Sequence, residues 1–247
     1  TEPSAYGVED DRTFAAAISN AGMFAGTVVL GSDVGNETAW PEFARAPEAL
    51  KGPAPEWLAR AAMPTAAFPT PEIAAAAARL GNVQATPDPD GIFRRVRPFV
   101  LFDGRPVPAL GAASLLAARR DSLPVFEPGG VRLGSRHVPV GPDGSAILRY
   151  RGPIGVYSNH NAAAVVRSQL AYEEGVAPLI PGSNVYAGCH VVFGFTAPGL
   201  YDLRPTPVNR KGVYPGLGIQ ATLLDNLLSG DFMRAALTPA AAALIVL

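Results

Sequence analysis

The chain has 247 residues, 48% of them hydrophobic and 17% charged, which excludes a disordered polymer and allows a substantial core. A formal net charge of -1 supplies no field for holding a phosphate backbone, so nucleic acid is not expected as a partner. One cysteine, Cys189, excludes an internal disulfide and leaves the redox compartment open.

Residues 1–11 are polar and hold no signal peptide. Asp10 or Asp11 can cap a first helix whose inward stripe is Phe14, Ile18 and Ala21, with Gly22 at its end. Residues 27–30, three of them β-branched and the run flanked by glycines, read as a buried strand. The stretch 32–68 is rich in proline and alanine, an irregular excursion with one short helix near 55–62. Thr70 and Pro71 start a helix with Ile73, Ala77 and Leu80 on one face, closed by Gly81. Asp88-Pro89-Asp90-Gly91 signals a turn, so a hairpin is expected between 81–83 and the apolar run 92–102. Arg94, Arg95 and Arg97 fall within that run as the solvated edge of a strand.

Asp103-Gly104 marks a second tight turn, and 107–119 returns to helix. Two short strands are predicted in 131–140, bent at Gly134-Ser135, and another in 145–151 after Pro142-Asp143-Gly144. Residues 162–170 are helical by propensity. The stretch 185–196 reads as a buried strand around Cys189, and 198–215 as a proline-rich loop. Leu217, Ala221, Leu224 and Leu228 then form the stripe of the longest helix, which ends at Gly230. Helices alternating with strands give an α/β fold class, a layered domain with a central mixed β-sheet flanked by helices and an inserted β-hairpin. Finally, Thr238 and Pro239 can open an apolar helix, so 1–236 is expected to be one domain and 237–247 the start of a transmembrane helix.

The motifs of chemistry are sparse. There is no Gly-x-Ser-x-Gly elbow, and Gly182-Ser183 and Ser229-Gly230 lack its frame. His137, His160 and His190 have no zinc-ligand spacing. In a calcium-loop register that starts at Asp88, Gly91 falls at the fourth position and Phe99 where a bidentate glutamate belongs. Gly194 to Gly199 follows the expected strand but carries no phosphate-loop lysine. Ligands in α/β sheets sit beyond the carboxyl ends of strands, which makes Thr196 and Asp202 the candidate ligand-binding residues. No catalytic residue, metal ligand or cofactor is assigned.

Four blocks occur in order: Leu80-Gly-Asn-Val-Gln-Ala-Thr-Pro-Asp-Pro-Asp-Gly-Ile-Phe-Arg-Arg95, Pro142-Asp-Gly-Ser-Ala-Ile-Leu-Arg-Tyr-Arg-Gly-Pro153, Val191-Val-Phe-Gly-Phe-Thr-Ala-Pro-Gly-Leu-Tyr-Asp202 and Pro215-Gly-Leu-Gly-Ile-Gln-Ala-Thr-Leu-Leu-Asp-Asn-Leu-Leu-Ser-Gly-Asp-Phe232. Together they resemble the second type of CHASE domain, the extracytoplasmic sensory module of bacterial receptors. The resemblance spans about residues 11–234. It implies a periplasmic or extracellular domain, several following transmembrane helices, and an output module such as an adenylate or guanylate cyclase, a histidine kinase, a serine/threonine kinase or a diguanylate cyclase. It implies no defined ligand and no catalytic residues. Relatives usually open with a further strand and helix, which this chain is expected to lack. Many carry glutamate, histidine and asparagine where this chain has Gly218, Gln220 and Thr222.

The partners expected are therefore a small-molecule ligand, the membrane through flanking helices, and a second copy in a homodimer. Two rival functions stand beside the sensor. One is a constitutive dimerisation scaffold built on the helix 215–230, the other a hydrolase with an unfamiliar site.

Overall fold

A computed structural model describes residues 7–50, 52–119, 123–180, 182, 185–196 and 202–235. The apolar tail expected to enter a membrane lies outside the described residues. Among those described, no helix is long and apolar enough to cross a bilayer.

Helix α1 (Val8–Ala21) begins with Glu9, Asp10 and Asp11 in its first turn, where negative charge favours the helix N-terminus. It ends on Gly22, as expected, in the left-handed conformation. Its predicted stripe is reduced to Ile18, the helix's buried residue; Phe14 is 54% exposed, its ring edge against Phe24. Strand β1 (Ala25–Gly31) follows, then the short helix α2 (Glu56–Arg60), β2 (Thr65–Ala67), α3 (Pro71–Ala76) and β3 (Arg79–Asn82). β1 is the centre of a mixed sheet, antiparallel to β2 and parallel to β3.

α3 stops earlier than its sequence predicts. Ala77 turns extended, the N–H groups of Ala78 and Arg79 donate to Phe24 O, and Leu80 and Gly81 enter β3 instead of closing the helix. Pairing with β1 satisfies a row of backbone groups at once, which outweighs the helix preference of an alanine run.

The expected hairpin at Asp88–Gly91 is also replaced. The turn forms, with Gly91 N donating to Asp88 O, but the strands on its two sides take other partners. Pro98 divides the apolar run into β4 (Arg95–Val96), which pairs with β10 (Ala146–Ile147), and β5 (Phe99–Phe102). β5 forms a tight hairpin with β6 (Arg105–Pro108) through Asp103 and Gly104, both at positive φ. Helix α4 (Leu110–Ala118) follows, then an antiparallel meander of β7 (Pro124–Glu127), β8 (Gly130–Leu133) and β9 (Arg136–Pro139). Beyond β10 come α5 (Ala162–Glu173), the hairpin β11 (Leu203–Thr206) and β12 (Asn209–Pro215), and α6 (Gly216–Ser229). That last hairpin occupies the stretch read as a proline-rich loop.

The fold is thus α/β, as predicted, with the described strands divided among five small sheets and six α-helices around them. Its core has two apolar clusters. One gathers Trp57, Phe99, Leu115, Tyr214, Leu223 and Leu227; the other gathers Val28, Leu30, Trp40, Phe102 and Val107. α6 runs through the first. Its inward face is Ile219, Leu223 and Leu227, rotated from the predicted stripe, so that Leu228 is 37% exposed. Each of those buried side chains stabilises the fold by about 1.5–3 kcal/mol relative to exposure. α4 crosses α6 at Gly111, where an added Cβ would lie 2.5 Å from Gln220 O.

The predicted buried strand at 185–196 is not one. Residues 185–188 form a turn and 189–196 are irregular; Cys189 is exposed and Phe193 is 76% exposed. β-branched and aromatic residues favour a pleated surface only where a neighbour supplies the ladder, and no strand among the described residues pairs with this segment. It is tethered instead by Ser114 Oγ, 3.0 Å from His190 Nδ1, and by Gly194 packed on Leu217. Burial, reinforced by nearby Arg119, lowers the affinity of His190 for a proton.

Candidate functional site

β1 and β3 run in parallel, so their carboxyl ends open on the same side of the sheet. Asn82, the last residue of β3 and only 3% exposed, joins them. Its Oδ1 accepts from Leu30 N at 3.1 Å and from Gln84 N at 3.2 Å, which fixes the chain as it leaves both strands. Its Nδ2 makes no hydrogen bond among the described residues, and the side chain lines a crevice of about 450 Å³ beyond the strand ends.

The far wall of this crevice comes from β4 and the turn before β10. Arg97 Nε donates to Asp143 O at 3.1 Å, and the Asp143 carboxylate accepts from Ser145 Oγ at 2.8 Å and from Ser145 N at 3.2 Å. Burial tends to raise the Asp143 carboxyl, but the Ser145 donors together with Arg97 outweigh it and hold the group below its usual range. Asp88 accepts from Arg95 Nε and Arg94 Nη1, both at 3.1 Å, while Arg94 clasps Asp90 with two bonds of 2.7 Å. That clasp holds the Asp90 carboxyl down to about 2. The arginines thus engage the aspartates of the calcium-like turn and are more than a solvated strand edge. Asp33, exposed on the loop after β1, adds another carboxylate to the rim.

These groups suit binding better than proton transfer. A general acid or base works best with a pKa near the operating pH, and Asp143 is displaced away from it. Charges of both signs and a buried amide donor around a polar cavity can orient a small solute through several hydrogen bonds at once.

The crevice is also wired to the core. Gln220 Oε1 accepts from Gly111 N at 3.1 Å, and Gln220 Nε2 donates to Val83 O at 3.4 Å, just past the end of β3. One helical turn and a half further on, Asn226 accepts from Arg149 N at 2.8 Å and donates to Arg149 O at 3.0 Å. Arg151 reaches the end of the same helix through Asp225 and Asp231, each at 2.7 Å. Gly218, Gln220 and Thr222 are all buried within α6. Thr222 bonds Gly218 O at 2.8 Å and lies 3.3 Å from the Tyr214 hydroxyl.

Thr196 and Asp202 fall elsewhere. Thr196 is exposed at the end of the irregular segment. Asp202 accepts Gly216 N through its carbonyl, sets its carboxylate beside the first residue of α6, and lies 3.5 Å from Arg204. Neither lines the crevice. Sequence reasoning missed Asn82, Arg97 and Asp143 because it closed a helix at Gly81. The signal that could have found Asn82 is the pair Leu30-Gly31-Ser32-Asp33 and Leu80-Gly81-Asn82, two strand ends of matching character.

The chain matches the family model for the CHASE2 domain across residues 1–247. Comparisons with curated proteins and with solved structures returned no match. The chain belongs to the CHASE2 family, a family of extracytoplasmic sensory domains.

Proposed function

We propose, with that membership as premise, that this domain is the ligand-sensing input of a bacterial transmembrane receptor whose output is a cyclase or a kinase. Its ligand is a small polar solute held in the crevice beyond β1 and β3. The observation that carries this reading is Asn82, a buried side chain that ties two parallel strand ends together and leaves its amide nitrogen for a guest. Gln220 supports a route for the signal, since a shift at Val83 is felt by α4 and α6 together. A sensor needs a ligand that binds two arrangements unequally, and this bond pair is a place where two arrangements can differ.

The test is a thermal-shift screen of amino acids, sugars and small dicarboxylic acids. A true ligand raises Tm with concentration, and Arg97→Ala weakens it by about tenfold or more through loss of a charge-assisted bond. Arg97 is partly exposed, so the variant should fold. A hit unaffected by Arg97→Ala and by Asp33→Ala places the ligand outside the crevice.

The scaffold alternative is favoured by a different surface. α6 is spent on the core, whereas α5 exposes Val166 (59%) and Leu170 (51%) on one side. Two α5 helices packed antiparallel about Leu170 set Arg167 of each copy against Glu173 of the other, an isologous and charge-complementary arrangement. Sedimentation equilibrium is expected to give a homodimer that Leu170→Glu converts to monomer. A dimer that persists in the variant excludes α5 as the interface.

A further inference from the structure

A second cavity, of about 390 Å³, lies away from the crevice, under a strap formed by residues 47–50 and 52–55. Its walls are apolar: Leu50 and several prolines of the strap, Phe99 of β5, Leu116 of α4 and Phe126 of β7. Phe99 and Phe126 meet edge to face with centroids 5.1 Å apart, which fixes the floor. The strap is pinned by Arg105, whose Nη1 donates to Pro47 O at 3.0 Å.

One cation interrupts this apolar lining. Arg79, at the start of β3, contributes to the cavity wall, and its guanidinium makes no hydrogen bond or ion pair among the described residues. Burial disfavours its charge; Glu48 acts to restore it and Arg45 opposes it. A partly desolvated guanidinium beside aromatic and aliphatic walls has Glu48 nearby but no hydrogen-bonded anion among the described residues to offset its lost hydration. A cationic guest would meet Arg79, the one cation among the lining residues, and a fully polar guest would leave the apolar walls unfilled.

We infer that this cavity is a second ligand site, for a compact apolar carboxylate whose tail lies between Leu116 and Phe99 and whose anionic head meets Arg79. Its dimensions fall in the range of small-molecule pockets. It stands independently of the crevice: the two sites share no lining residue.

Benzoate and hexanoate serve as probes, with benzyl alcohol and hexanol as uncharged counterparts of similar shape, in thermal-shift and calorimetric titrations of the intact domain. The carboxylates are expected to raise Tm in a saturable way, and the alcohols to bind about tenfold more weakly or worse. Arg79→Met, which keeps the apolar stem, should abolish the preference for the carboxylate; Arg79→Lys should retain part of it. Arg97→Ala, which alters only the crevice, should leave benzoate binding unchanged. Equal binding of acids and alcohols overturns the inference, as does undiminished benzoate binding in Arg79→Met or no saturable binding of either acid to the wild-type domain. Should Arg79→Met fail to fold, the acid-to-alcohol ratio in the wild-type protein and in Arg79→Lys decides the matter alone.

Discussion

Gly111→Ala is expected to destabilise the domain by about 2–4 kcal/mol, the cost of forcing a methyl group into a packed helix crossing. The added carbon would stand 2.5 Å from Gln220 O, 3.0 Å from Leu224 N and 3.3 Å from Leu223 Cβ. Two of these three atoms are backbone, so no side chain can swing aside; α4 and α6 must separate. Separation also lengthens the bond from Gly111 N to Gln220 Oε1, and with it the tie to Val83. Urea denaturation reads the loss directly. Gly129→Ala is the matched control, because a Cβ there meets nothing within 4 Å, and a change within about 0.5 kcal/mol is expected. If both variants shift the midpoint equally, the crossing is not as close as it stands here.

Asn226→Leu is expected to cost about 2–4 kcal/mol, through the two backbone groups it strands. Asn226 is fully buried and presents a donor and an acceptor to the N–H and C=O of Arg149, as a neighbouring strand would. Leucine fills the space but is bulkier than asparagine, so overpacking adds to the loss of the two hydrogen bonds. The Arg149 side is partly wetted, which keeps the figure below that of a fully dry pair. Asn226→Asp should be at least as damaging, since it retains one acceptor, loses the donor and buries a charge. Guanidinium unfolding of the two variants checks the order, and a leucine variant as stable as wild type would show that Arg149 finds other partners.

The parts of this fold that were legible in the sequence are those whose signals are local. Gly22 and Gly230 end their helices as read and Gly134-Ser135 bends the meander between β8 and β9; Asp103-Gly104 makes its turn as read, but into β6, so that the helix expected from 107 begins only at Leu110. What escaped depends on partners distant in the chain. Leu80 carries a good helical spacing, yet it lies in β3 because Gly26 is opposite it in β1. Phe193 and Phe195 have strong strand propensity, yet no strand edge among the described residues receives them. The crevice escaped for the same reason: it exists only where β1, β3, β4 and the turn before β10 converge, and no one of these segments announces the others. The family, by contrast, was legible from four short blocks, because their order along the chain carries information that secondary-structure propensity lacks.

The two apolar clusters each hold one of the chain's two tryptophans, Trp40 in one and Trp57 in the other. Both indoles are buried, and both donate to a backbone carbonyl, of Ala44 and Glu127 respectively. Intrinsic fluorescence is consequently a two-channel signal with one emitter per half of the interior. Single Trp→Phe replacements make each channel readable by itself, so the cooperativity between halves can be followed without any attached dye.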